Sequence, residues 1–479
     1  MYSSRQQIGL LLGPALFLIL LLIPTPEGMP PAAMQTAAVV ALMAVWWVSE
    51  ALPLPVTALL PIVLFPLLDI TPATQVTRAY AHHIIFLFLG GFLIAIAIER
   101  WQLHRRIALL VLRLVGTRPD RLLFGFMFVT AFLSSWISNT ASTLMMVTIG
   151  TAVLTRLSEN GSKLENGLGT ALMLGIAYAA SIGGIATLIG TPPNAILAGI
   201  MESSYGVQIG FMEWMVFALP LSLAMLVITW LYLSRFAYRL NNGTQLSNHS
   251  LFSDELHRLG PMSSQEKRVL FIFLLVVTGW IGRGFVDIPM LKGITDSTIA
   301  IAGALLLFIT PSGRKPGERL LDWQSTAKVP WDILILFGGG LALAGGVADS
   351  GLSTWLGEQM VGLAGMPLPV MIGLLVLMVV FLTEVSSNTA TASLLLPVLG
   401  GFAVASGIPA MTLMAATALA ASFAFMLPVA TPPNAIVFSS RKVTLPQMAR
   451  AGIWLNLIGT LLITVAIAWL LPLVWRLST

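Results

Sequence analysis

Thirteen apolar stretches follow one another along this 479-residue chain, near residues 8–23, 33–48, 54–68, 83–98, 122–157, 168–200, 211–234, 269–286, 294–310, 331–348, 366–403, 410–439 and 451–474. The charges lie almost entirely between them. Only 9% of the residues are Asp, Glu, Lys or Arg, and 57% are hydrophobic, against roughly 25% charged in a soluble globular protein. A helix crossing a bilayer uses about 20 apolar residues, so the chain has room for about ten to twelve crossings and little more. The fold class is therefore an all-α polytopic membrane protein. An extramembrane enzyme is nearly excluded, and the absence of cysteine removes disulfides, thiolate nucleophiles and iron–sulfur clusters. The five histidines are scattered and form no zinc motif.

Two stretches, 122–157 and 366–403, are too long for one crossing and too short for two. Each has a polar centre, Ser138-Asn139-Thr140 and Ser387-Asn388-Thr389. That suits a re-entrant hairpin that enters the bilayer, turns and leaves on the same side, because non-helical backbone at that depth survives only inside protein or beside a watery cavity. With two hairpins, about 11 transmembrane helices remain and the termini face opposite sides. The apolar residues after Arg5 are read as a retained first span, since Pro24, Pro26 and Glu27 stand where a signal peptide needs small residues. With the amino terminus cytoplasmic, 21 of the 25 Lys and Arg residues fall inside, leaving Arg78, Arg283, Lys292 and Arg476 outside. This satisfies the positive-inside rule. The net charge of +5 is thus loop bias and no nucleic-acid footprint. A plasma (inner) membrane location with the carboxyl terminus outside is expected.

The halves repeat. Gly90-Gly91 recurs as Gly339-Gly340 and Ser138-Asn139-Thr140-Ala141 as Ser387-Asn388-Thr389-Ala390, both 249 residues later. Thr191-Pro192-Pro193-Asn194-Ala195-Ile196 recurs as Thr431-Pro432-Pro433-Asn434-Ala435-Ile436 after 240. The hairpins start from opposite sides, so the repeat has inverted topology, an arrangement of many secondary transporters. The organisation expected is a first scaffold with an interfacial helix over 1–120, a first transport core over 121–240 and a cytoplasmic linker over 241–266. A second scaffold over 267–365 and a second core with the last span over 366–479 follow. The basic amphipathic stretch 100–116 suits a helix lying in the inner interface, and 351–364 its outer counterpart. Asn242-Gly243-Thr244 and Asn248-His249-Ser250 match the glycosylation pattern, but a cytoplasmic linker would not use it.

The duplicated motifs carry chemistry. A hairpin tip frees backbone carbonyls, which with Ser and Thr hydroxyls and an Asn carbonyl suit a hard cation such as sodium; the N–H groups of the following helix favour an anion. Each Pro-Pro removes two amide donors and breaks its span. Four helix ends thus meet near the midplane. No Lys or Arg stands near these motifs, so an anion would rely on helix dipoles, hydroxyls, amides and co-bound cations. Two Asn-Thr tips facing each other point to two carboxylates on a short chain.

In the paired Ser-Asn-Thr tips and the paired Thr-Pro-Pro-Asn breaks the sequence resembles the divalent anion:sodium symporter family, which includes sodium-coupled dicarboxylate and citrate transporters. The resemblance implies one sodium site at Ser134, Ser138, Asn139 and Gly190 and another at Thr383, Ser386, Asn388 and Ala430. It places the substrate against Asn139, Thr140, Thr191, Asn388, Thr389, Thr431 and Pro432. It also implies a homodimer and elevator-type alternating access, with import of succinate, malate or fumarate. A sodium-independent exchanger and a citrate or sulfate carrier are the alternatives on this fold. Thr191 and Ser386, where other members have small residues, bear on which. Glu384 is open to a role at the second cation site or to a structural hydrogen bond. Glu50, Asp69, Asp332, Asp349, His82 and His83 lie at span ends, where interfacial solvation is expected. His83 and Asp332 hold equivalent repeat positions, which favours local structure over a proton relay.

Overall fold

The structure, a computed structural model, describes residues 3–116, 118–159, 167–240, 251–283, 293–359 and 365–475. Both glycosylation patterns, Lys163, Lys292 and Arg476 lie outside them. Among the described residues the protein is helical, with one isolated bridge between Pro311 and Arg319. Among the described residues, seven helices are long and apolar enough to cross a membrane: Ser4–Leu22, Pro31–Ser49, Ala73–Arg100, Phe211–Ala237, Trp331–Asp349, Asn388–Ala405 and Leu445–Trp475. Shorter apolar helices complete the set.

The expected span at 54–68 is divided into Leu54–Thr57 and Leu60–Leu67. Pro55, Pro61 and Pro66 lack the N–H that a continuous helix needs. The stretch expected as a polar linker contains the helix Leu251–Leu259, which packs on the interfacial helix Leu103–Val115. The outer counterpart is the helix Leu352–Gln359.

Element order repeats along the two halves. Helix His83–Arg100, the interfacial helix, the paired helices Pro119–Ser134 and Asn139–Glu159, and the broken pair Leu168–Gly184 and Pro192–Tyr205 make the first series. Trp331–Asp349, Leu352–Gln359, Leu368–Thr383 with Asn388–Ala405, and Ala410–Ala421 with Pro432–Ser439 make the second. All twelve residues of Ala410–Ala421 are buried, and Leu168–Gly184 is buried but for Gly169 and Thr170. An apolar helix covered all round is a core element that meets no lipid. The breaks therefore sit where irregular backbone is tolerated.

The duplicated glycines mark two close backbone approaches. A Cβ on Gly90 would stand 2.6 Å from the Ala300 Cβ and 2.7 Å from its carbonyl carbon, and one on Gly339 would stand 2.4 Å from the Ala58 carbonyl oxygen. Backbones approach closely there, Gly90 against helix Asp296–Ile309 and Gly339 against the turn between Leu54–Thr57 and Leu60–Leu67, as small residues permit in membranes.

Charges gather at the helix ends. Beside the interfacial helix, buried Arg106 donates from Nε to Glu266 Oε1 (2.6 Å), from Nη2 to Glu266 Oε2 (3.2 Å) and from Nη1 to the Gly260 carbonyl (3.0 Å). Glu266 Oε2 also accepts from Ser263 N–H at 2.7 Å. This network ties the interfacial helix to the start of the second half. Removing one partner of a buried pair strands the other charge, so Arg106→Ala is expected to destabilise the fold by about 3–5 kcal/mol. Thermal unfolding in detergent checks this, and Arg106→Met with Glu266→Met should recover much of the loss.

Candidate substrate and cation site

Both hairpin tips are built alike. Pro119–Ser134 ends, residues 135–138 turn, and Asn139 opens the next helix; Thr383 ends a helix, 384–387 turn, and Asn388 opens the next. The Ser134 hydroxyl lies within hydrogen-bonding reach of Asn139 Oδ1 and, at 2.7 Å, of the Ala180 carbonyl on the first broken helix. Thr383 Oγ1 lies 2.8 Å from Asn388 Oδ1 and 2.9 Å from the Ala421 carbonyl on the second. A hydroxyl has one proton, so with the amide oxygen turned towards it three oxygens in each half share one donor. Such a surplus of lone pairs is what a hard cation neutralises. Neither hydroxyl bonds back to the carbonyl one turn earlier; Ser386 does, donating to Leu382 O at 3.0 Å, and its oxygen lies 2.6 Å from Thr391 Oγ1.

The other expected residues surround these clusters. Ser138 Oγ accepts from Ala141 N–H at 3.2 Å and so caps the new helix. Thr140 is partly buried in the first turn and Thr389 is buried in the second. Gly190 is confined by the break, since a Cβ there would lie 2.4 Å from the Gly184 carbonyl oxygen, and its N–H donates to Thr187 Oγ1 at 3.1 Å. Buried Ala430 donates its N–H to the Leu427 carbonyl at 3.2 Å. Thr431 Oγ1 accepts from Asn434 N–H at 3.3 Å, an N-cap that leaves Pro432 first in the helix.

The broken helices of the two halves pack on each other, and between the breaks Thr191 Oγ1 lies 3.5 Å from Ser422 Oγ. Access differs between them. Thr191 and the residues from Pro193 to Met201 are buried, whereas Pro432 and Ala435 are exposed. A cavity of about 750 Å³ runs between Leu144, Thr151 and Arg156 on one side and Ile436, Ser439 and Ser440 on the other.

These observations stand beside clear relationships. The model of the sodium:sulfate symporter transmembrane region matches residues 4–476. The chain belongs to this family. It is 43% identical, over 99% of its own length and 92% of the relative's, to the sodium-dependent dicarboxylate transporter SdcS of Staphylococcus aureus strain USA300, and equally to that of strain MRSA252. Its fold is similar to the YdaH transporter of Alcanivorax borkumensis, with a TM-score of 0.59 at 13% identity over 85% of this chain and 89% of that one. The Neisseria gonorrhoeae efflux pump MtrF compares at a TM-score of 0.60 and 11% identity over 98% and 95%.

Asn194, Asn434 and Ser135 take roles that the sequence reading does not assign, and Glu384 makes the structural hydrogen bonds that the same reading holds as one of two alternatives. Asn194 Nδ2 donates to the Thr187 carbonyl (2.8 Å) and lies 3.3 Å from that of Ile185; Asn434 Nδ2 donates to the Leu427 (3.0 Å) and Ala424 (3.1 Å) carbonyls. These amides hold the breaks open, and their place in the duplicated Thr-Pro-Pro-Asn motif was the available signal. Ser135 and Glu384 are equivalent, 249 residues apart, and do one job differently. Ser135 donates to the Gly183 carbonyl at 2.9 Å and its own carbonyl accepts from Thr187 Oγ1 at 2.6 Å. Buried Glu384 accepts from the N–H groups of Phe425 (2.7 Å), Met426 (2.9 Å) and Leu427 (2.9 Å), and from Asn456 Nδ2 (2.7 Å) of the last span. Four N–H donors suit an ionised carboxylate.

Glu384 thus makes structural hydrogen bonds that anchor the second break. An unsatisfied buried donor costs about 1–3 kcal/mol. Glu384→Ala, which strands several, is expected to lower the unfolding temperature and abolish transport together, whereas Glu384→Gln, which keeps one acceptor oxygen, should lose less of both. Thermal unfolding and uptake on the same preparations check this.

Proposed function

We propose that this chain is a sodium-coupled symporter that imports small dicarboxylates such as succinate, malate and fumarate. The duplicated oxygen cluster carries the reading: two equivalent sets of lone pairs at two hairpin tips, with helix N-termini opening beside them. Segments 134–143, 184–194, 383–391 and 422–434 contain no Lys, Arg or His, so the charge of a bound anion has to be offset by co-bound cations and by helix dipoles. One sodium would be held by Ser134, Ser138, Asn139 and Gly190 and the other by Thr383, Ser386, Asn388 and Ala430. Because the Ser386 hydroxyl is engaged with Thr391, its backbone carbonyl is the atom available. Asn139, Thr140 and Thr191 would face one carboxylate, and Asn388, Thr389, Thr431 and Pro432 the other. The sodium dependence and dicarboxylate substrate in the name of the staphylococcal relative support the same reading.

Alternating access follows from the unequal breaks. With the amino terminus cytoplasmic, the cavity beside Arg156 and Ser440 opens inward, and the core would move past the scaffold like an elevator to expose the site outside. The eleven-span topology with inverted repeats, the plasma-membrane location and the homodimer are parts of the same proposal.

In proteoliposomes an inward sodium gradient is expected to drive labelled succinate uptake, and replacing sodium with potassium or choline should abolish it; malate and fumarate should compete, and sulfate should not. Uptake without sodium that requires internal carboxylate would make the chain an exchanger, and strong sulfate competition would make it a sulfate carrier. The cation clusters have their own test. Ser134→Ala and Thr383→Val should raise the sodium concentration for half-maximal uptake at least several-fold, with succinate affinity recovering at saturating sodium, as linkage requires. Titrations that overlay the parent would leave those hydroxyls structural.

The orientation is testable on this cysteine-free chain. A single cysteine at Lys442 should react with an impermeant thiol reagent from the cytoplasmic side and one at Gly365 from outside. Reaction of both from one side would refute the inverted repeat.

A further inference from the structure

At the end of the molecule away from the Arg106 network lies a cavity of about 270 Å³, lined in part by His83, Glu202, Gln208, Glu213, Arg283 and Asp296. Several of its charges have a structural task. Arg283 donates to Asp296 Oδ1 at 2.9 Å, and Asp296 Oδ2 accepts from Phe211 N–H at 2.8 Å. Glu213 accepts from Gly210 N–H at 3.0 Å and so caps its own helix. A cluster of His82, His83 and Glu202 is left. His83 Nε2 lies 2.5 Å from Glu202 Oε2, and His82 Nε2 lies 3.9 Å from the same oxygen. The two rings are 4.7 Å apart, one ligand atom from each residue falls within 4.8 Å of the others, and all three residues are partly buried. Glu202 Oε1 is oriented by Gln208 Nε2 at 3.0 Å, while Ser297 Oγ lies 3.5 Å from His83 Nδ1. With Nδ1–H turned to that hydroxyl, the Nε2 lone pair of His83 faces a carboxylate oxygen. Only a proton or a cation between them relieves the repulsion.

We propose that His82, His83 and Glu202 form a binding site for a divalent transition-metal ion of the zinc type, which joins the start of the scaffold helix His83–Arg100 to the end of the core helix Pro192–Tyr205. Two imidazoles and one carboxylate select such an ion over calcium or magnesium, which take oxygen ligands. A tetrahedral zinc at about 2.0–2.1 Å from each ligand keeps the ligands about 3.3 Å apart. The His83–Glu202 contact therefore opens by less than about 1 Å, the His82–Glu202 contact closes by as little, and the two imidazole nitrogens, within 4.8 Å of each other, close by at most about 1.5 Å, all within side-chain rotation. The fourth position stays open to the cavity. Second-shell partners are already in place: Gln208 on the carboxylate and Ser297 on His83. His82 is the weakest ligand, because its Nδ1 accepts from Ile84 N–H at 3.4 Å and coordination through Nε2 breaks that contact. The sequence hid the site because Glu202 stands 119 residues after His83.

The ion would act as a clamp. This consequence rests on the elevator reading above, in which the core helix slides past the scaffold helix; a metal bound to both holds them together.

Calorimetric titration of the purified full chain in detergent with zinc chloride, in a non-chelating buffer, should show one saturable site per chain that magnesium does not occupy. His83→Ala and Glu202→Gln should each weaken zinc at least tenfold, His82→Ala less, and His104→Ala not at all. X-ray absorption at the zinc edge of the parent should report imidazole ligation, which keeps the site testable if a variant fails to fold. Absence of saturable binding, equal affinity in the His83 and Glu202 variants, or a spectrum without imidazole would overturn the site. In proteoliposomes, zinc on the cavity side should slow sodium-driven succinate uptake at least fivefold, reversibly on chelation, and His83→Ala should be insensitive. Normal uptake with zinc demonstrably bound would overturn the clamp. Failure of succinate uptake without zinc would instead count against the transport reading, and the calorimetry would still decide the site.

Discussion

Backbone that leaves the helix inside a hydrocarbon slab must find its hydrogen bonds from other parts of the protein. This requirement organises the molecule. Two hairpin tips and two broken helices each interrupt a helical ladder, and each is completed by the other. The Ser134 hydroxyl reaches the carbonyl of Ala180 and Thr383 that of Ala421, while Asn194 and Asn434 take up carbonyls of their own breaks. The groups that rescue the backbone are also the groups that crowd oxygen lone pairs together.

Duplication did not preserve the chemistry at every position. At the turn of each hairpin, 249 residues apart, Ser135 and Glu384 bind the tip to the break by opposite means, a hydroxyl reaching a carbonyl in one half and a carboxylate gathering N–H groups in the other. The second break exposes N–H groups at Phe425, Met426 and Leu427, which need an acceptor, whereas the first presents the Thr187 hydroxyl, which needs one too and finds the Ser135 carbonyl. Glu384 also recruits Asn456, and so ties the last span to the core. Two halves alike in plan thus differ in how their breaks are held and in how exposed they are. The His82–His83–Glu202 cluster joins the start of helix His83–Arg100 to helix Pro192–Tyr205.

Much of this was legible in the residues. Apolar length and sparse charge specify helical spans because each crossing must satisfy its own backbone. The polar centres at Asn139 and Asn388 and the Pro-Pro pairs at 192 and 432 mark interruptions because proline and buried amides cannot be carried passively through hydrocarbon. Their recurrence at fixed offsets revealed the repeat. These are local rules, read within a few residues of each motif.

What only the tertiary structure decided are the partners across the fold. No periodicity shows that Ser134 meets Ala180, that Thr191 meets Ser422, that Glu384 collects three amides some forty residues on, or that His83 meets Glu202. Nor does it show that the stretch 54–68 is divided or that 251–259 forms a helix on the interfacial segment. Such contacts depend on how helices cross, which glycines such as Gly90 and Gly339 set by permitting backbone approach. A sequence states which groups lack partners, and packing in three dimensions chooses which partner each one takes.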